Sequence, residues 1–313
     1  MFFLYGAGYK LSRFLPTTYH ISPITHHPSL TFNIYKKFAL FTKYRGVYNL
    51  NIGLKLWSTN LSNYANEAVR LYELGYYNYL ELYVVPNSLD TLSGWKKLNI
   101  PYTLHCPHSA HGFNLAKSEL KRSNQQIFNE VRKFADELNV DYIIIHGGLD
   151  GNAKETAEQL KGLNEPRALI ENKPYKSTPK VVENKICIGY NREEIDLIKN
   201  ESNCGFCLDF NHAICAANSF KINYISYLED LMELKPQMFH LADMSDANSE
   251  FDSHLHLGQG KLALEKLAKF LSVDAKVSLE TAKNSKTSLE DFKADVDFLK
   301  SLNKFFSKNC LNG

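Results

Sequence analysis

From residue 48 onward, short runs of β-branched and apolar residues alternate with longer stretches whose apolar positions recur every three or four residues. Eight runs read as strands: YNLNIGLKLW (48–57), YNYLELYVV (77–85), PYTLHC (101–106), DYIIIHGG (141–148), RALIENK (167–173), GFCLDF (205–210), QMFHLAD (237–243) and KVSLET (276–281). Between most of them lie helix-like segments such as SNYANEAVRLYELG, SELKRSNQQIFNEVRKFADELN and REEIDLIKN. Eight such units in 313 residues predict an α/β fold, a (β/α)8 TIM barrel with an N-terminal extension, rather than a doubly wound sheet. The expected boundaries are an extension over residues 1–47 and a barrel over 48–313.

Two segments fall outside the repeat. Residues 1–47 are aromatic-rich and basic, and their G-x-G, in FFLYGAGYKLSRFL, lacks the third glycine of a nucleotide-binding turn. Residues 173–191, KPYKSTPKVVENKICIGYN, carry four lysines against one glutamate and follow the fifth strand, where a lid over a barrel mouth is expected. The final stretch, KTSLEDFKADVDFLKSLNKFF, puts Leu289, Phe292, Val296 and Leu299 on one stripe and reads as the closing helix.

Composition narrows the class only a little. With 44% hydrophobic residues the chain can bury one large core, and no apolar run approaches the roughly 18 residues that span a bilayer, so a soluble protein without a membrane partner is expected. Six cysteines are too sparse for a disulfide scaffold, which points to a reducing, cytoplasmic setting. Cys204 and Cys207 form C-x-x-C, but strand alternation sends them to opposite faces, so ordinary packing is expected there. Residues 1–66 carry seven basic side chains and no acid, and the total of +2 leaves −5 for the remainder. Such a body is a poor footprint for nucleic acid, although bound divalent cations would cancel its charge locally.

The strand ends change the picture. His105 or His108, His146, Glu171, Asp209 with His212, His240 and Glu280 all fall where the strands of a barrel converge on one mouth. Eight of the eleven histidines lie at or after residue 105, nearly all at these positions. FDSHLHLGQG (251–260) adds Asp252, His254 and His256 at alternate positions, on one side if the segment is extended. So many imidazoles and carboxylates at one mouth are costly to bury unless charge neutralises them. Ligation by His, Asp and Glu without thiolate suits Zn²⁺, Mn²⁺ or Fe²⁺ in a catalytic role.

Over about residues 48–305 the sequence resembles the endonuclease IV (AP endonuclease family 2) branch of the xylose-isomerase-like barrels. The resemblance rests on linked motifs: PHSAHGFNL with His108, leaving His105 in the strand; IIIHGG with His146; LIEN with Glu171; CLDFNHAICAA with Asp209 and His212; MFHLAD with His240; DSHLHLGQG with Asp252 and His254; and SLET with Glu280. It implies up to three Zn²⁺ ions: one on His108, His146 and Glu171; a second, bridged through Glu171, on Asp209, His240 and Glu280; a third on His212, Asp252 and His254. It further implies phosphoester hydrolysis, in the family 5′ to an abasic site in DNA, with Glu171 and Glu280 as the catalytic carboxylates. His111, Asn114 and His256 are the expected substrate contacts.

The sequence departs from that pattern on the substrate side. Where DNA-acting members of the family place an aromatic and an aliphatic wedge, this chain has His111 and Gly112, and glycine cannot wedge a base stack. The loop after the second strand is reduced to VPNSLDTLSGW, and Gln259 replaces the acid of Leu-Gly-x-Gly. The alternative is a sugar or sugar-phosphate isomerase or epimerase of the same superfamily. Such an enzyme uses one Mn²⁺ or Mg²⁺ ion on Glu171, Asp209, His240 and Glu280, whose glutamates exchange a proton beside a carbonyl. A barrel that only binds a ligand is a third class. The substrate is accordingly a phosphoester, with abasic-site DNA included, or a small sugar.

Overall fold

Eight parallel strands close into a barrel in the computed structural model of the chain, which describes residues 50–178 and 185–309. They are β1 (Asn51–Trp57), β2 (Tyr79–Tyr83), β3 (Tyr102–His105), β4 (Ile143–His146), β5 (Ala168–Glu171), β6 (Gly205–Asp209), β7 (Met238–Leu241) and β8 (Lys276–Leu279), with β8 paired to β1. Each lies within a run expected from the sequence, trimmed by up to three residues at its ends. The expected extension, residues 1–47, lies outside the described residues, as do residues 179–184 of the 173–191 insertion.

Period-two alternation divides each strand between two environments. Ile52, Leu54 and Leu56 of β1, Leu80 and Leu82 of β2, Ile143 and Ile145 of β4 and Val277 and Leu279 of β8 join the large core beneath the helices. The opposite parity fills the barrel, where Tyr79, Ile144, Leu169, Cys207 and Met238 form a separate apolar layer. Further toward the C-terminal ends, the same inward positions turn polar and build the mouth. Cys207 thus serves as inner-layer packing, and Cys204 is only partly buried.

Helices such as Leu61–Glu73, Lys121–Glu137 and Arg192–Ser202 cover the barrel, and Glu290–Asn309 closes it with Leu289, Phe292, Val296 and Leu299 buried, as the stripe predicts. No helix among the described residues is long and apolar enough to cross a membrane. Gly53 shows how tightly the floor of the site is filled. A Cβ there would come within 2.4 Å of the Tyr79 ring and 2.7 Å of the Ser278 hydroxyl. Tyr79 and Ser278 are themselves 3.0 Å apart, oxygen to oxygen, so neither is free to retreat.

Gly53→Ala should lower the unfolding free energy by about 1–3 kcal/mol, read from a urea midpoint, because added volume in a packed interior forces neighbours aside. The loss should shrink in a Tyr79→Leu background; an equal loss in both backgrounds would contradict this packing.

Candidate metal centre at the barrel mouth

The strands deliver ionisable groups in sequence around the mouth. Lys55, Glu81, His105, His146, Glu171, Asp209 and His240 stand at inward positions of β1 to β7, and Glu280 directly follows β8. Asp209 has a second task that explains the D-x-x-H spacing. It caps the helix Phe210–Ser219, accepting the His212 backbone N–H at 2.7 Å, so the His212 side chain emerges beside it.

The segment carrying Asp252 and His254 is held from behind. Leu255 pairs with Asp243 through two backbone hydrogen bonds of 3.1 and 2.9 Å. The Asp243 carboxylate accepts the N–H groups of Gly258, Gly260 and Leu262, and a Cβ on Gly260 would lie 2.2 Å from Asp243 Oδ1. The glycine-rich turn therefore wraps a carboxylate, and this clamp leaves Asp252 and His254 on the cavity wall.

Glu171 is the hub. Its Oε2 lies 3.0 Å from His105 Nε2 and 3.1 Å from His146 Nε2, and its Oε1 lies 2.9 Å from His212 Nδ1 and 3.7 Å from the Lys173 ammonium. Burial pushes its pKa up, but His146, Lys173 and His240 outweigh burial and hold it well below the usual carboxylate range. His240 lies between two acids, with Nε2 at 3.0 Å from Glu81 and Nδ1 at 2.6 Å from Glu280. Asp252 sits 2.5 Å from His254 and 3.5 Å from His212. Burial opposes a charge on His212, yet the carboxylates of Asp209, Asp252 and Glu171 around it lift its pKa to about 10. The Asp209 pKa is raised as well, to about 6, by burial and then by Glu280 and Glu171, despite His212.

Among the described residues, four sets of side chains bring ligand atoms within 4.8 Å of one another: His105, His146 and Glu171; Glu171, Asp209 and His212; His212, Asp252 and His254; and Glu81, His105, His240 and Glu280. Of the residues expected as ligands from the sequence, these sets gather all but His108. That side chain lines the cavity with its ring stacked 6.3 Å from His146, and burial with Lys173 lowers its pKa to about 3. His105, left in the strand by sequence reasoning, stands nearer the cluster instead.

The expected substrate contacts are occupied elsewhere. His256 does not line the cavity beside Asp252 and His254. The strand-like pairing ends at Leu255, and the His256 ring bonds Asp295 and Asn284, both at 2.9 Å. Asn114 braces a loop by bonding the backbone of Ala116 and Leu149, and His111 is held by the Tyr83 hydroxyl at 2.6 Å.

Sequence reasoning missed Lys55, Glu81 and Lys173. The first two were detectable as charged residues at inward positions of NIGLKLW and YLELY, where alternation would place apolar side chains. Lys173 lies 3.2 Å from His146 Nε2 and 3.3 Å from His212 Nε2. It opens the 173–191 insertion, whose residues Lys173, Pro174, Lys176, Ser177, Thr178 and Cys187 line a cavity of about 670 Å³ over the cluster. Trp57, 44% exposed, stands at the rim with its ring stacked 5.2 Å from Tyr83.

This donor set fits divalent cations. Asp252 Oδ1 is buried without a hydrogen-bond partner, and Glu171 Oε1, though 2.9 Å from His212 Nδ1, makes no hydrogen bond of good geometry, so both can face an ion.

A closed parallel barrel with imidazoles and carboxylates gathered at its C-terminal mouth defines an enzyme-type α/β barrel with a candidate metal centre. The chain belongs to the xylose isomerase-like TIM barrel family, whose model matches residues 92–302. It is 31% identical over 225 residues to a Sulfurihydrogenibium protein named probable endonuclease 4, covering 63% of this chain and 76% of that one. A Persephonella marina protein of the same name is 27% identical over 184 residues, covering 53% and 64%. Among solved structures, a D-tagatose 3-epimerase-like protein superposes with TM-score 0.62 at 15% identity, covering 82% of this chain and 99% of that one. Endonuclease IV from Thermus thermophilus gives 0.59 at 19% identity, covering 80% and 99%, so the same barrel carries both names.

Lys283, on the cavity wall, gives a test of the mouth's electrostatics. Burial lowers its pKa to about 8, although Asp291, Asp295 and Glu280 pull the other way. Its neutral amine at pH 8 should therefore be roughly 100-fold more populated than that of an ordinary lysine. Site-resolved acylation followed by peptide mass spectrometry should rise for Lys283 with an apparent pKa near 8. A profile that rises only with the exposed lysines would contradict this environment.

Proposed function

We propose that this chain is a metal-dependent phosphoester hydrolase that uses more than one divalent ion, with zinc the ion its donor set favours. The metal ligands in this reading are His108, His146, Glu171, Asp209, His212, His240, Asp252, His254 and Glu280. Its main support is the convergence of His212, Asp252 and His254 into a further group, which shares His212 with the set of Glu171 and Asp209. A one-metal isomerase needs Glu171, Asp209, His240 and Glu280 and leaves that further group without a task. The relatives named endonuclease 4 support the same reading and make abasic-site DNA the first substrate to try.

When bound, divalent ions supply Lewis acidity and neutralise charge on a phosphoester. The chain's own residues do the rest. Glu171, buried at the centre of the mouth, orients the attacking water as its hydrogen-bond acceptor. The Lys173 ammonium, beside Glu171 and on the cavity wall, meets the non-bridging oxygens. Glu280 is the second catalytic carboxylate, and the exposed ring of Trp57 offers a flat sugar or base a stacking surface.

One observation favours a second reading, proton transfer on a small sugar. The cavity, about 670 Å³ and walled by the 173–178 segment, has the size of a small-molecule site.

Zinc-loaded protein should cleave a duplex bearing one abasic site or, failing that, a small phosphodiester. His254→Ala should lower kcat/KM at least about 100-fold while the fold is retained by circular dichroism. Exchange of solvent deuterium into a ketose beside its carbonyl, with no phosphoester cleaved at any metal loading and no effect of His254→Ala, would establish the isomerase reading instead.

A further inference from the structure

Lys55 reaches into the Glu81, His105, His240 and Glu280 group. Its ammonium donates to Glu280 and lies 3.1 Å from Glu81 Oε1, so it takes up two of the four ligands in the Glu81, His105, His240 and Glu280 group. The placement follows from topology. β1 lies between β2 and β8 in the closed barrel, Lys55 is the direct register partner of Glu81, and Glu280 follows the last residue of β8. A side chain tethered between both carboxylates forms the pair at little further ordering cost, whereas a free ion must be captured from solution. The remaining members are engaged as well. His240 bonds Glu81 through Nε2, and His105 bonds the Cys106 carbonyl at 2.7 Å and Glu171 at 3.0 Å.

We propose that Lys55 is a built-in cation that holds one of the metal positions of this mouth, so the chain binds one divalent ion fewer than its carboxylates and imidazoles would otherwise take. The inference rests on the reading of the mouth as a multinuclear metal centre and sharpens it. Glu280 and His240 are thereby withdrawn from the metal ligands of the proposed function: their group keeps an ammonium, and divalent ions go to the groups around Glu171 and around Asp252.

Metal stoichiometry tests this without an activity assay. Full-length chain, stripped with chelator, is dialysed against excess zinc chloride and then against metal-free buffer, and zinc per chain is measured by elemental analysis. Lys55→Met should retain one more zinc than the wild type, and Lys55→Arg, which keeps the cation, should retain the wild-type number. Lys55→Gln, which still donates a hydrogen bond to the two carboxylates, should show the same gain and serves where the methionine variant does not fold. Recovery of either variant only when zinc is present also supports the proposal, since the added ion then does the work of the ammonium. Equal, non-zero zinc in wild type, Lys55→Met and Lys55→Gln overturns the proposal and leaves the multinuclear reading standing. No retained zinc in any chain overturns both, and a gain in Lys55→Arg equal to that in Lys55→Met overturns the role of the charge.

Discussion

Glu171 ends β5 with three imidazole nitrogens 2.9–3.1 Å from its two oxygens, fully enclosed in the mouth of the barrel. A carboxylate so placed must be neutralised, and so must Glu81, Asp209, Asp252 and Glu280 around it. The basic side chains of the mouth serve that requirement. Two strands supply Lys55 and His240 to the Glu81 and Glu280 side, while Lys173 and His212 serve the Glu171 and Asp252 side. The buried ligand atoms left without hydrogen bonds are what the side chains do not satisfy, and a divalent ion is the economical means of satisfying them.

The fold was legible because the barrel repeats its signal. Each strand alternates helix-facing and barrel-facing residues, and a pattern that recurs eight times tolerates ambiguity in any one run. Much of the candidate site was legible for a related reason: strand ends in a barrel are brought together by closure alone, so residues over a hundred positions apart, such as His146 and Glu280, predict their own convergence. Asp209 and His212 were doubly legible, since their spacing serves both the helix cap and the cluster.

Position within a turn was less legible. His256 continues the alternation of Asp252 and His254 in the sequence, yet the backbone leaves its extended course after Leu255 and Asp295 captures the imidazole. Asn114 lies in a motif with metal-capable neighbours but spends its amide on loop backbone. Lys55 and Glu81 escaped notice because each is a single charge in an otherwise strand-like run, and only their register pairing across β1 and β2 gives them meaning together. His105 was set aside in favour of His108 by motif alignment, whereas strand parity aims it at Glu171.

The central claim is that this mouth neutralises its carboxylates with more than one divalent ion. Anomalous diffraction at the zinc edge, on crystals of the full chain grown with zinc, measures that directly. Separate peaks are expected beside His212, Asp252 and His254 and beside His146 and Glu171, with the Lys55 ammonium still seated on Glu81 and Glu280. A single peak confined to Glu171, Asp209, His240 and Glu280, with Asp252 and His254 bare, would contradict the claim.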